Sequence, residues 1–226
     1  MEDVDRAIDS AQQAFKVWSK LSPTERRLRL LKAADLMDQK TEQFIETGMQ
    51  ETGSTATWYG FNVHLAANML REAAAMTTQI DGSLIPSDVP GNLAMGVRVP
   101  CGVIVGIAPW NAPVILTTRA LAMPLACGNT VVLKASEACP ATHRLIGEVL
   151  HEAGLGEGVV NVITHAAEDA PQIVERLVSH PAVKRINFTG STKVGKIIAE
   201  TAAKYLKPVL LELGGKAPVV VLNEAD

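Results

Sequence analysis

Two residues in the 226-residue chain have types and settings suited to bond-making chemistry. Glu212, in PVLLELGGKAP (208–218), ends an otherwise apolar run. A carboxylate is costly to bury there without a purpose or a partner, and Lys216 is a candidate partner. The two glycines that follow permit a tight turn and leave the side chain open to a cleft. Neighbours that raise its pKa would suit it to act as a general base near neutral pH. Asn111, in IAPWNAPVIL (107–116), sits after Trp110 and between two prolines. An amide held on so rigid a connection can donate a hydrogen bond to a developing oxyanion. A turn stapled by a buried Trp110, with Asn111 satisfying local backbone groups, accounts for the same residues.

Two further stretches have the look of anion and sugar sites. FTGSTKVGKII (188–198) places Gly190, Gly195 and Lys196 as a triphosphate-binding loop would, but Ile197 lacks the hydroxyl such a loop offers to magnesium. A strand, a tight turn and a helix in that order aim backbone N–H groups and the positive end of a helix dipole at an anion. Gly190 would let the backbone approach closely, and the Ser191 hydroxyl can donate to a phosphate oxygen. A βα turn with no ligand fits as well. VVLKASEACP (131–140) puts Lys134 at a strand end and Glu137 three residues on. In a dinucleotide site an acidic residue there binds ribose hydroxyls and repels a 2′-phosphate. A loop lysine beside a carboxylate at the start of a helix is the plainer alternative.

The elements around these stretches give them positions. Val4, Ile8, Ala11, Phe15 and Trp18 recur at helical spacing, and Ser22-Pro23-Thr24-Glu25 reads as a capping box opening a second helix. Gly53 ends the next segment, and 57–78 reads as another helix. Gly and Pro punctuate 80–100, which predicts a loop and a strand pair. Short β-branched runs at 103–108, 130–134, 159–164, 185–188, 209–212 and 219–222 then alternate with helical patterns at 114–127, 141–153, 168–179 and 193–205. The alternation predicts an α/β, doubly wound, Rossmann-like parallel sheet, preceded by a helical N-terminal segment. Ligands in such sheets bind at the carboxyl ends of the strands. The organisation expected is a helical lead-in over 1–79, a strand and loop connection over 80–102, and an incomplete dinucleotide-binding domain over 103–226. A chain that stops just after an apparent strand is expected to be part of a longer one.

Composition narrows the class. Hydrophobic residues make up 47% and charged residues 20%, enough for a sizeable core. A net charge of −3 offers no nucleic-acid face, and no apolar run reaches bilayer length. Three cysteines at irregular spacing (Cys101, Cys127 and Cys139) make neither a disulfide framework nor a zinc site, which points to a reducing cytoplasm. The five histidines read as structural or surface residues, and no metal site is expected.

Taken together and in order, APWNAP, LKASE, FTGSTKVG and LELGGK resemble the aldehyde dehydrogenase superfamily over nearly the whole chain. NVHLAANMLREAAAMTTQIDG and SDVPGNLAMG further resemble salicylaldehyde dehydrogenases. The resemblance implies NAD-dependent oxidation of an aromatic aldehyde to its acid. It implies Asn111 as oxyanion donor and Glu212 as base, with NAD lined by Ile107, Pro109, Trp110, Lys134, Ser136, Glu137, Gly158, Phe188, Gly190, Ser191, Val194 and Leu213. The family's nucleophilic cysteine lies in a G-Q-x-C type motif downstream of the glutamate. None of the three cysteines here fits it, so the chain alone is expected to be inactive. Ala112 stands where many members have an aromatic residue, which implies a wider substrate tunnel. A homo-oligomer is implied for the full-length form. A stand-alone dinucleotide-binding module and a phosphate-loop NTPase are the competing readings.

Overall fold

The computed structural model describes residues 1–225. Helices α1 (Glu2–Trp18), α2 (Pro23–Gln39), α3 (Thr41–Thr52) and α4 (Ala56–Met76) come first. A two-stranded antiparallel arm follows, β1 (Ser83–Ile85) with β2 (Ala94–Gly96). Strand and helix then alternate through β3 (Val103–Ile107), α5 (Pro113–Ala126), β4 (Thr130–Lys134), α6 (Pro140–Glu152) and β5 (Val160–Ile163). The chain continues through α7 (Ala170–Ser179), β6 (Val183–Thr189), α8 (Thr192–Lys204) and β7 (Val209–Glu212).

Local chemistry explains the boundaries. Ser22 and Glu25 form a reciprocal capping box at the start of α2, with Ser22 Oγ accepting the Glu25 N–H and the Glu25 carboxylate accepting the Ser22 N–H at 2.8 Å. Gly53 stops α3 in the left-handed region at φ 68°. Three acidic residues, Glu2, Asp3 and Asp5, occupy the positive end of α1.

β3 to β7 form one parallel sheet in the order β5-β4-β3-β6-β7. The chain winds outward from β3 to one edge, then crosses over and winds to the other. The switch point therefore lies between β3 and β6, where a crevice opens at the carboxyl ends. β3 and β4 are buried at every residue, as central strands of a parallel sheet must be.

Alternate residues of these strands feed two cores. Ile104, Val131 and Leu133 join α2 to α6 in one. Val103, Val105, Ile107 and Val132 join α1, α7 and α8 in the other. The N-terminal helices are thus divided between the two faces of the sheet. Trp18 Nε1 donates to the Leu125 carbonyl at 3.2 Å, and Thr130 Oγ1 donates to the Ala11 carbonyl at 2.9 Å, tying α1 to both layers.

The strand expected at 219–222 is not formed. Val219, Val220, Val221 and Leu222 are 72–85% exposed and pair with no neighbour among the described residues. β-propensity reflects fit to a pleated, half-buried surface, and without a ladder those residues have none to join.

Candidate active site

Ile163, Lys134, Ile107, Phe188 and Leu211 form one row across the carboxyl end of the sheet, because each is the register partner of the next. Ile107, Phe188 and Ile163 belong to the core beneath α1, α7 and α8, so the row faces that side. Lys134 is the chemical exception in the row. Its ammonium is buried and, among the described residues, donates to the Ala135 carbonyl at 3.0 Å. Burial pushes its pKa down, while the nearby Glu137 carboxylate opposes that. An ammonium has three donors, so two remain for a ligand at the sheet edge. Glu137 is exposed on the turn that follows.

The amino end of α8 lies over the same edge. Ser191 caps it, its Oγ accepting the Val194 N–H at 3.3 Å. The amides of Thr192 and Lys193 are left without an intrahelical partner. Not every amide of the turn is open, as the sequence suggested: the Gly190 N–H is bonded to the Glu212 carbonyl at 3.0 Å. A Cβ on Gly190 would fall 2.5 Å from Phe188 Cζ, so a larger residue there would have to displace the Phe188 ring. Val194 and Leu213 are both partly open to solvent, at 42% and 37% exposure, with Leu213 lying over Gly195 of α8.

Asn111 and Glu212 belong to the opposite face. Arg119 of α5 donates to Thr189 Oγ1 at 3.1 Å, which fixes the Thr189 side chain on the α5 side. Glu212 is the register partner of Thr189 and therefore points the same way. Asn111 lies on the exposed loop that opens α5. Both residues thus sit at the carboxyl end on one side of the sheet, and the α8 tip lies across the edge on the other. An open cleft of roughly 1080 Å³ runs along the α5 side, from Cys101, Cys127 and Asn129 at the amino end of the sheet to Arg119 and Glu212 at the carboxyl end, and Asn111 does not line it.

Several expected features differ. Glu212 is exposed and not buried. Trp110 is 55% exposed and does not staple the turn. Pro109 is half-buried beside it. Ser136 is buried, and its hydroxyl accepts the Ala138 N–H at 3.3 Å, so it shapes the turn under Glu137. Gly158 lies apart from the other residues, at the amino end of the sheet just before β5. Its φ of 76° and a Ser10 carbonyl 2.7 Å from any added Cβ give it a packing role against α1.

Two residues escaped sequence reasoning. Trp58 of α4 donates through Nε1 to the Asn111 carbonyl at 3.0 Å, fixing the loop that carries the amide. Arg119 brings a cation to the cleft that holds Glu212. A contact spanning 53 residues leaves no local sequence signal.

The three cysteines are free. Cys139 is fully buried, and its thiol is pushed up to about 12 by that burial. Cys127 follows α5 and Cys101 precedes β3, both at the amino end of the sheet. Burial also raises the Cys127 pKa. Among the described residues no cluster of three or more metal-ligating side chains occurs, and no helix is long and apolar enough to cross a membrane.

Comparison with known proteins places these features in a wider group. The model of the aldehyde dehydrogenase family matches residues 1–226. A vanillin dehydrogenase of Pseudomonas fluorescens is 67% identical over 226 residues, covering 100% of this chain and 47% of the relative. The crystal structure of a salicylaldehyde dehydrogenase from Pseudomonas putida G7, complexed with salicylaldehyde, superposes with a TM-score of 0.95 at 51% identity, covering 100% of this chain and 46% of that one. An NAD-dependent benzaldehyde dehydrogenase structure from Corynebacterium glutamicum has a TM-score of 0.93 at 36% identity, with 100% and 48% covered. The chain spans about half the length of the relatives it matches.

Proposed function

Because the chain belongs to the aldehyde dehydrogenase family, we propose that it is the cofactor-binding part of an enzyme that oxidises an aromatic aldehyde to its carboxylic acid with NAD. The observation that carries this reading is the division across one sheet edge. Asn111 and Glu212 share the α5 side, and the open tip of α8 and the spare donors of Lys134 lie on the other. A dinucleotide draped over that edge would reach from one side to the other. The residues present fit such a group: a helix N-terminus for a pyrophosphate, a buried ammonium with unused donors, and an exposed carboxylate at Glu137 for ribose hydroxyls. The same carboxylate favours NAD over a 2′-phosphorylated cofactor. Ile107, Pro109, Trp110, Phe188, Val194 and Leu213 would provide apolar contacts around it.

When bound, NAD supplies the hydride acceptor. The chain's own residues do the rest of what is assigned here. The Asn111 amide, on a loop pinned by Trp58, donates to the aldehyde oxygen as negative charge develops on it. Glu212, at the solvent-facing end of β7, takes a proton from the water that releases the acid. Arg119 places a positive charge in the same cleft, suited to the oxygen substituent of a phenolic aldehyde. The nucleophilic thiolate is assigned to residues outside this chain, since Cys139 is buried and Cys101 and Cys127 lie at the wrong end of the sheet. Residues 1–226 alone are therefore assigned cofactor binding without turnover. The apolar β1–β2 arm, with Leu84, Leu93, Met95 and Val97 59–73% exposed, suits a surface covered in a homo-oligomer.

In a full-length protein carrying these residues, Glu212→Gln should leave the first-turnover burst of NADH within about three-fold of wild type and lower the steady-state rate about 100-fold. Wild-type protein that binds NAD but oxidises neither vanillin nor salicylaldehyde would favour the non-catalytic module instead. Failure to bind NAD at all would remove both readings.

A further inference from the structure

His143 stands in α6, fully buried, with no part in the chemistry above. Its Nδ1 accepts the Ser136 N–H at 3.1 Å. An acceptor Nδ1 puts the ring proton on Nε2, which lies 3.6 Å from Cys139 Sγ. The backbone carbonyl of Pro109 also faces the ring. Ser136 belongs to the turn that presents Glu137, and Pro109 is two residues before Asn111. One imidazole therefore touches the loops that follow the neighbouring strands β3 and β4.

The surroundings hold the ring in one protonation state. The Lys134 ammonium is near enough to act on it with its positive charge, and Cys139 adjoins it with a thiol that burial keeps protonated. Glu51 lies beyond Cys139, its carboxylate taken up by the Ala141 and Thr142 amides at 2.7 and 2.8 Å at the start of α6. Burial and Lys134 push the His143 pKa down to about 4. The ring is therefore neutral near pH 7, as an accepting Nδ1 requires.

We propose that His143 is a positioning residue that ties the Glu137 turn to the Pro109–Asn111 loop, fixing the cofactor carboxylate relative to the oxyanion-binding amide. The inference rests on the cofactor and oxyanion roles proposed above. Its mechanical content is simple. The Nδ1 bond sets the Glu137 turn, and the contact of the ring with the Pro109 backbone sets the Asn111 loop. Asparagine at 143 keeps an acceptor near the Nδ1 position and loses the far side of the ring. Leucine loses both while filling similar space.

The test uses a full-length enzyme carrying these residues, with rates scaled to active sites counted by the NADH burst. His143→Leu should raise the KM for NAD and lower kcat, each about ten-fold. His143→Asn should hold the KM for NAD within about two-fold of wild type while kcat still falls about five-fold. That split is what a purely structural role would not produce. Asparagine matching wild type in both constants would overturn the proposal. So would asparagine losing KM and kcat in equal measure together with thermal stability, because that pattern is general loosening. If His143→Leu does not fold, the asparagine variant alone decides. A wild-type enzyme with no NAD-dependent activity would instead count against the function proposed above, so the two failures are distinguishable.

Discussion

The two ends of the parallel sheet are built from similar turns but treat their polar groups differently. At the amino end the turns are closed. Asn129 Oδ1 accepts the Cys101 and Gly102 amides at 2.7 and 3.1 Å, and its Nδ2 donates to the Pro124 carbonyl at 3.0 Å. Gly158 packs directly on Ser10, and its carbonyl accepts from Asn161 at 2.8 Å. At the carboxyl end the tip of α8 keeps open amides, Lys134 keeps spare donors, and Glu137, Asn111 and Glu212 face solvent. Satisfied polar groups make a hinge-free structural end. The carboxyl end instead presents exposed polar groups around one buried ammonium, Lys134.

The largest effect expected from this contrast is a pH dependence at the carboxyl end. The folded pKa of His143, about 4, lies below its ordinary value of 6.5, so the unfolded chain binds the proton first as pH falls. The neutral ring costs the fold nothing above pH 6.5, and its resistance to protonation removes about 3 kcal/mol of stability between pH 6.5 and 4. Urea unfolding of wild type and His143→Phe across that range should give a visibly flatter profile for the variant. Equal slopes would mean that the ring titrates freely in the folded state.

The amino end should respond to mutation in stability and not in binding. Asn129→Ala strands the buried Gly102 amide and the half-buried Cys101 amide and is expected to cost about 2 kcal/mol. Its unfolding midpoint should drop, while the NAD dissociation constant of the variant stays at the wild-type value. A weakened NAD affinity would erase the division between the two ends.

Lys134→Met reverses that pattern. Removing a buried ammonium that donates to the Ala135 carbonyl should leave the unfolding midpoint unchanged or raised, and weaken NAD binding about ten-fold, or about 1.4 kcal/mol. Calorimetric titration with NAD, set against thermal melts, reads both. The smallest effect concerns Ala112, buried where α5 begins beside Asn111. Phenylalanine at that position should raise the KM for benzaldehyde-type substrates about three-fold by narrowing the entry. Unchanged kinetics would mean that this side chain does not border the tunnel.

Much of this was legible in the residues. The capping box at Ser22, the stop at Gly53 and the alternation that gives a parallel sheet are local signals, and β4 and β7 begin and end where their β-branched runs do. The run at 219–222 carried the same signal and formed no strand, because a strand is a pairing and the partner is not among the described residues. Glu212 looked like a buried carboxylate for the same reason. Its apolar neighbours alternate between faces, and only the edge position of β7 determines that its own face is open.

The sequence by itself determined the fold class, the strand ends at which the candidate residues sit, and the turn residues at Gly190 and Ser191. These follow from periodicity, capping and backbone freedom, which act over a few residues. Only the tertiary structure decided that Asn111 and Glu212 share a face, that Gly158 belongs to the opposite end, and that Trp58 and His143 hold the loops between them. Those facts depend on strand order and register, which join residues tens of positions apart and leave no trace in local spacing.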